Sequence, residues 1–350
     1  VIIDPNPFVK HRIRENRPAL AWNTHSAETE EWQMALRSRL DQVLGNLSAW
    51  ERVPLNPRIS EVVEQDGYRR EAVTFATRPG LDAFGYFLMP LANAANDYAG
   101  RRPTVLCLPG HGRGVASIIG VAEDGGQRLV GEPEEYANDF ALQCLAQGWS
   151  VFALEQISFG VRRGVTDSMD AGASSCVPDS MAALMLGETM IGWRVWDAMR
   201  SLDYLTTRPE VDPNRLMLMG ISGGGSTGLF TAALDTRIWG AMISGYLNTF
   251  ADSVLAIRHC VDNYAPGLVT IAEMSDIAGC IAPRRLFAEN GSEDPIFPVE
   301  AFRRATAKVS EIYTAFGASE NFAYEIFEGG HLFHGEQAFP FLKEHLASEG

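Results

Sequence analysis

No run of this sequence approaches the roughly 18 consecutive apolar residues that a membrane-crossing helix requires. No secretory signal is visible either; the chain starts at Val1, which leaves room for a leader removed earlier. Positive charge is scarce, with 29 Lys and Arg against 44 Asp and Glu and a net charge of -15. Such a surface repels phosphate backbones and anionic lipid, which excludes nucleic acid and membranes as partners. Cysteine is sparse and odd in number: Cys107, Cys144, Cys176, Cys260 and Cys280. There is no C-x-x-C pair and no Cys/His cluster with zinc spacing, so the reading is free, mostly buried thiols and no metal. Free thiols favour the cytoplasm. Internal repeats and low-complexity tracts are absent too, which excludes solenoids and disordered linkers.

What remains is ordinary for an enzyme. The chain has 350 residues, 46% hydrophobic and 21% charged, enough for one large α/β domain with additions. The first twenty residues, with Pro5, Pro7 and Pro18, read as an irregular arm. Ser26 can cap a helix that carries Trp32, Leu36, Leu40, Val43 and Leu44 on one face and ends at Gly45. Residues 1–65 are thus an arm and a helix packed on a main domain of residues 66–350.

Within that domain, Tyr68 to Pro90 alternates as two strands about a turn at Gly80. Short apolar runs follow at Thr104–Leu108, Ser150–Leu154, Leu216–Met219, Gly240–Ser244, Arg285–Ala288 and Phe322–Phe327. Helical patterns separate them, the clearest carrying Ile191, Val195, Ala198, Met199 and Leu202. This alternation predicts a mostly parallel sheet covered on both faces. Residues 160–190 are less regular and read either as an insertion over the site or as a surface loop followed by a helix.

The chemistry concentrates in Gly220-Ile221-Ser222-Gly223-Gly224, between a strand and a helix. A G-x-S-x-G elbow puts a serine on a sharp turn, where small neighbours are needed because the backbone crowds. The following helix aims its N-terminus at the reacting carbonyl. The dinucleotide G-x-G-x-x-G is not met, nor is the phosphate-loop motif, since no lysine follows. A serine hydroxyl needs a base. His331, after Glu328-Gly329-Gly330 and directly off the last strand, is the candidate, with His334 as its competitor. Asp294, in a strand-end loop before Pro295, is the carboxylate to orient it, with Glu293 and Asp262 as alternatives. Pro109-Gly110-His111-Gly112-Arg113-Gly114 follows the first buried strand. Oxyanion donors are expected from the backbone N–H groups of Gly223 and Arg113. His111 is expected to fix this loop by a hydrogen bond.

Together these segments resemble the dienelactone-hydrolase and acetyl-xylan-esterase-like branch of the α/β-hydrolases. Val195-Trp-Asp197-Ala-Met-Arg200-Ser-Leu-Asp203, Ser158-Phe159-Gly160-Val161-Arg162 and Arg258-His259-Cys260 are similar to segments of that group, and the likeness spans residues 65 to 345. It implies the α/β-hydrolase fold and hydrolysis of small carboxylic esters, plausible substrates being acylated sugars, with no cofactor. The dienelactone hydrolases use a cysteine nucleophile; Ser222 here favours esters over lactones. Arg162, His259 and Cys260 join His111 as candidate pocket residues, each with a structural role as its plainer reading. A serine peptidase on the same fold, or a binding protein that kept it, are the competing functions. Oligomeric state is not legible.

Overall fold

The computed structural model describes residues 3–23, 29–65, 67–91, 100–121, 136–164 and 174–348. Its strands are β1 (Arg58–Gln65), β2 (Tyr68–Arg78), β3 (Leu81–Pro90), β4 (Arg102–Leu108), β5 (Ser150–Leu154), β6 (Val211–Ile221), β7 (Ile238–Ser244), β8 (Arg285–Gly291) and β9 (Phe322–Phe327). They form one nine-stranded sheet in the order β1-β2-β3-β5-β4-β6-β7-β8-β9. The β1, β2 and β3 pairings, including β3 with β5, are antiparallel; the remainder are parallel. Every residue of β4, β5 and β7 is buried, which is why these strands read as continuous apolar runs.

The helices are α1 (Asn6–Glu15), α2 (Thr29–Leu44), α3 (Phe140–Ala146), α4 (Cys176–Met185), α5 (Met190–Leu205), α6 (Gly223–Leu234), α7 (Met274–Gly279), α8 (Val299–Ala315) and α9 (Ala338–Ser348). Side chains alternate across a strand. Leu106, Leu108, Leu216 and Leu218 enter one core with α2, α5, α6, α7 and α8. Val105, Cys107, Met217 and Met219 enter the other with α3 and α9. The sheet is therefore covered on both faces, as the alternation predicts.

Two N-terminal features differ from the sequence reading. Asn6–Glu15 is a helix, not an irregular arm. Pro5 and Pro7 stand at its start, where a missing N–H costs nothing, and Arg12 and Arg14 end it favourably for the dipole. None of its residues is buried, so no apolar periodicity marks it. Strand β1 was not legible either, because it is an edge strand whose Ile59 and Val62 both stay exposed. Ser26 lies outside the described residues. So do 165–173, in the middle of the irregular segment; after them α4 runs beside α5. Helix α2 buries Trp32, Leu36, Leu40 and Leu44 in the core shared with α6 and α7.

The order of the parallel strands reverses at β4, which pairs with β5 on one side and β6 on the other. At such a reversal the loops leaving the carboxyl ends of neighbouring strands run to opposite sides, and open α/β sheets bind ligands there. The glycine-rich loop and Ser222 are the departures from β4 and β6.

Candidate active site

Ser222 joins β6 to α6 with φ 55 and ψ -118, a left-handed conformation costly for a side chain bearing a Cβ. Strong bonds over-determine it. Its N–H donates to the Ser244 carbonyl at 3.0 Å, and its carbonyl accepts from Ser226 N–H at 2.8 Å. The glycines serve close approach: a Cβ on Gly224 would stand 1.9 Å from the Leu108 carbonyl oxygen. A Cβ on Gly110 would stand 3.0 Å from that of Ser222 and 2.1 Å from the Tyr136 hydroxyl. The β4 loop therefore lies directly against the elbow.

His331 Nδ1 is 2.7 Å from Asp294 Oδ2. The other Asp294 oxygen accepts from the N–H groups of Ile296 (2.8 Å) and Phe297 (3.0 Å), which fixes the carboxylate. The imidazole is held between two rings, Tyr136 at 5.5 Å and Phe297 at 5.7 Å between centroids. Gly245 follows the Ser244 that binds the Ser222 backbone, and a Cβ there would be 2.9 Å from His331 Cε1. The imidazole–carboxylate pair thus packs on Gly245, one residue past the Ser244 whose carbonyl holds the Ser222 backbone. His331 Nε2 is buried and has no hydrogen-bond partner among the described residues, Ser222 Oγ included.

The glycine-rich loop is tied down by His111. Its Nε2 is 3.0 Å from Asp262 Oδ2, and the same oxygen accepts from Arg194 Nη1 at 2.7 Å. Burial alone would raise the Asp262 carboxyl, but the Arg194 charge and the His111 hydrogen bond hold it well below the usual range. Burial likewise works against charge on His111, but hydrogen bonds to Asp262 and Cys176 outweigh it and push the imidazole up to about 9. The other ring nitrogen, Nδ1, would be 3.2 Å from a Cβ on Gly223, so the ring faces the start of α6. Tyr136 adds a second tie by donating its hydroxyl to the His111 carbonyl at 2.7 Å. Arg113 precedes a short 3-10 turn, Gly114–Ser117, and its guanidinium donates to the Val121 carbonyl.

Residues 3–324 match the model of the Abhydrolase family. The chain belongs to that family. This Abhydrolase chain is 26% identical to YtaP of Bacillus subtilis, a protein assigned as a hydrolase, over 304 residues that cover 85% of the chain and 93% of YtaP. Its fold is similar to that of a Bacteroides fragilis protein assigned as an acetyl xylan esterase, with TM-score 0.80, 17% identity, and coverage of 99% and 95% of the two chains. It is also similar to a glucuronoyl esterase from Solibacter usitatus, with TM-score 0.68, 16% identity, and coverage of 96% and 100%. The sheet and helices of the Abhydrolase chain are those of the α/β-hydrolase fold.

The remaining sequence candidates fall into place around this centre. His334 stacks on Phe327 at 4.5 Å and pairs with Glu325 at 3.3 Å, directed toward β9. Glu293 is exposed, and Asp262 belongs to the His111 cluster. Arg162 is half-buried, bonded to Asp197 and to the Glu155 carbonyl, which closes the Gly160 turn. His259 is half-buried and lies 5.9 Å from the Phe297 ring, one ring away from His331. Its Nδ1 is buried without a partner among the described residues, and burial pushes its pKa down. Cys260 gathers with Cys176, His111 and Asp262. Sequence reasoning missed Tyr136, Arg194, Phe297 and Glu289. Arg194 lies on the buried side of α5, where an arginine in an apolar face was the available signal. Glu289 is a carboxylate inside a buried strand; no spacing rule points to Tyr136 or Phe297.

Proposed function

We propose that this chain is a serine hydrolase of carboxylic esters, with Ser222 as nucleophile, His331 as base and Asp294 as its orienting acid. The observation that carries the reading is an imidazole anchored 2.7 Å from a buried carboxylate and packed on Gly245, one residue past the Ser244 whose carbonyl holds the left-handed Ser222 at the β6–α6 turn. Asp294 accepts at Nδ1 and so leaves the lone pair on Nε2, the atom with no partner, to take the serine proton. The hydrogen bond from the Ser222 hydroxyl to Nε2 forms when substrate aligns the hydroxyl. Ser222 then attacks the ester carbonyl, and the N–H groups of Gly223 and Arg113 receive the oxyanion at the positive end of α6. His331 gives its proton to the departing alcohol. Water cleaves the acyl-enzyme by the same route, and the reaction asks for no metal or organic cofactor.

Sugar esters are the substrate class. Structural neighbours are named as acetyl xylan and glucuronoyl esterases, and a serine nucleophile suits esters. His111, Arg162, His259 and Cys260 surround the pocket in this reading, with residues 1–65 as an N-terminal segment on a catalytic domain of 66–350.

A fluorophosphonate probe tests the nucleophile, and a panel of p-nitrophenyl acyl esters, sugar acetates and peptides tests the class. Labelling of Ser222 with ester turnover is the expected result. Failure to label, or cleavage of amides alone, would overturn it.

A further inference from the structure

Four side chains far apart along the chain converge beside the glycine-rich loop: His111, Cys176, Cys260 and Asp262. One donor atom from each lies within 4.8 Å of all the others. His111 Nε2 is 3.0 Å from Asp262 Oδ2, Cys176 Sγ is 3.3 Å from the same oxygen, and Cys176 Sγ is 3.8 Å from His111 Nε2. Tetrahedral zinc with Zn–N and Zn–O near 2.0–2.2 Å and Zn–S near 2.3 Å has donor-to-donor edges of about 3.3–3.8 Å. These separations come within a few tenths of an ångström of that figure. Cys176 and Asp262 are buried, and His111 and Cys260 half-buried, so the centre of the cluster is shielded from bulk water.

We infer that His111, Cys176, Cys260 and Asp262 form a structural binding site for a thiophilic divalent cation, zinc being the best fit. Two sulfurs, an imidazole and a carboxylate are a donor set that selects zinc over magnesium or calcium. Charge closes as well. Two thiolates and one carboxylate carry three negative charges, against two from zinc and one from Arg194. Arg194 is placed to complete the outer shell, donating to Asp262 at 2.7 Å and to Cys176 Sγ at 3.3 Å. Its remaining bonds, at 3.0 and 3.1 Å, go to the Ile157 carbonyl and fix its direction. Ligands that are themselves hydrogen-bonded in this way are a mark of metal sites. All four positions are filled by protein, so the ion has no place for substrate or water and its role is to join elements. It would staple α4 and the 260–262 turn to the loop that faces Gly223. No redox change is involved: the cation binds two sulfurs and the imidazole nitrogen, and the protons these groups carry leave to solvent.

The test is a titration of the full-length, fully reduced, chelator-stripped protein with Co2+ and then Zn2+. One equivalent of Co2+ should produce thiolate-to-cobalt charge transfer and the visible bands of a tetrahedral ion. Zn2+ should displace it, with proton release in a weakly buffered solution. Cys176→Ser with Cys260→Ser should abolish the charge-transfer band, while Cys280→Ala, outside the cluster, should keep it. Absence of the band in the unaltered chain at saturating Co2+ would overturn the site. So would an undiminished band in a folded double variant. Fluorophosphonate labelling read in parallel separates this result from the fate of the esterase reading.

Discussion

Ser244 connects Ser222 to Glu289: its carbonyl accepts from the Ser222 N–H at 3.0 Å, and its hydroxyl donates to Glu289 Oε1 at 2.7 Å. The same carboxylate accepts from the N–H groups of His334 and Gly335, each at 2.8 Å. One buried side chain therefore spans from the strand behind the elbow to the loop that carries His331.

Burial pushes the Glu289 carboxyl up to about 7, against three hydrogen bonds that pull it down. A carboxyl with a raised native pKa binds more protons folded than unfolded, so its contribution to stability falls as pH rises. The window runs from the ordinary carboxylate value near 4.5 to about 7. Across it this group removes on the order of 3 kcal/mol. In Glu289→Gln that slope should vanish, so urea unfolding of both proteins between pH 4 and 8 should show the variant gaining relative to the parent up to about pH 7 and level above it.

Replacing Ser222 by Ala should cut ester turnover by about four orders of magnitude or more while leaving unfolding in urea close to unchanged. Steady-state kinetics on a p-nitrophenyl ester measures this. Retained activity would remove Ser222 from the mechanism.

Asp294→Asn separates orientation from architecture. The amide oxygen can still accept from Ile296 and Phe297, but the group now facing His331 Nδ1 is a donor. The imidazole is pushed into the wrong tautomer, and kcat should fall by about 10⁴ with little change in KM.

Gly224→Ala should fail in packing rather than in chemistry. Its Cβ would meet backbone, the Leu108 carbonyl at 1.9 Å and that of Pro109 at 2.8 Å, and neither can rotate away. A loss of about 3 kcal/mol or more in chemical denaturation, or no folded protein, is the expected outcome.

Arg194→Met removes the positive partner of Asp262 from an environment where both are buried. Breaking a buried ion pair by removing one partner costs about 3–5 kcal/mol, and His111, still 3.0 Å from Asp262, brings the expected loss to the lower end of that range. Thermal unfolding should show it, and proteolysis should find the glycine-rich loop less protected, since His111 anchors there.

Local pattern was legible wherever an element is buried along its length. The runs at Thr104–Leu108 and Ser150–Leu154 are strands because both of their faces are covered, and the glycines of 220–224 mark the elbow because only they fit its crowding. The helix Asn6–Glu15 and the strand Arg58–Gln65 bury little, so neither leaves a period to read. The His111 bond was foreseen as a type of contact. Its partner was not, because Asp262 competes as a carboxylate in sequence order and only its place in space assigns it to the loop.

Sequence alone carried the succession of the buried strands and their helices and the glycine-flanked turn at Ser222, since each is a local matter of periodicity and sterics. Which rings flank His331, that Glu289 spans two loops, and that Cys176 and Cys260 meet His111 and Asp262 are contacts between residues tens to hundreds of positions apart. No spacing rule reaches that far. Those pairings arise only when the sheet closes its order around β4 and brings the strand ends to a common edge.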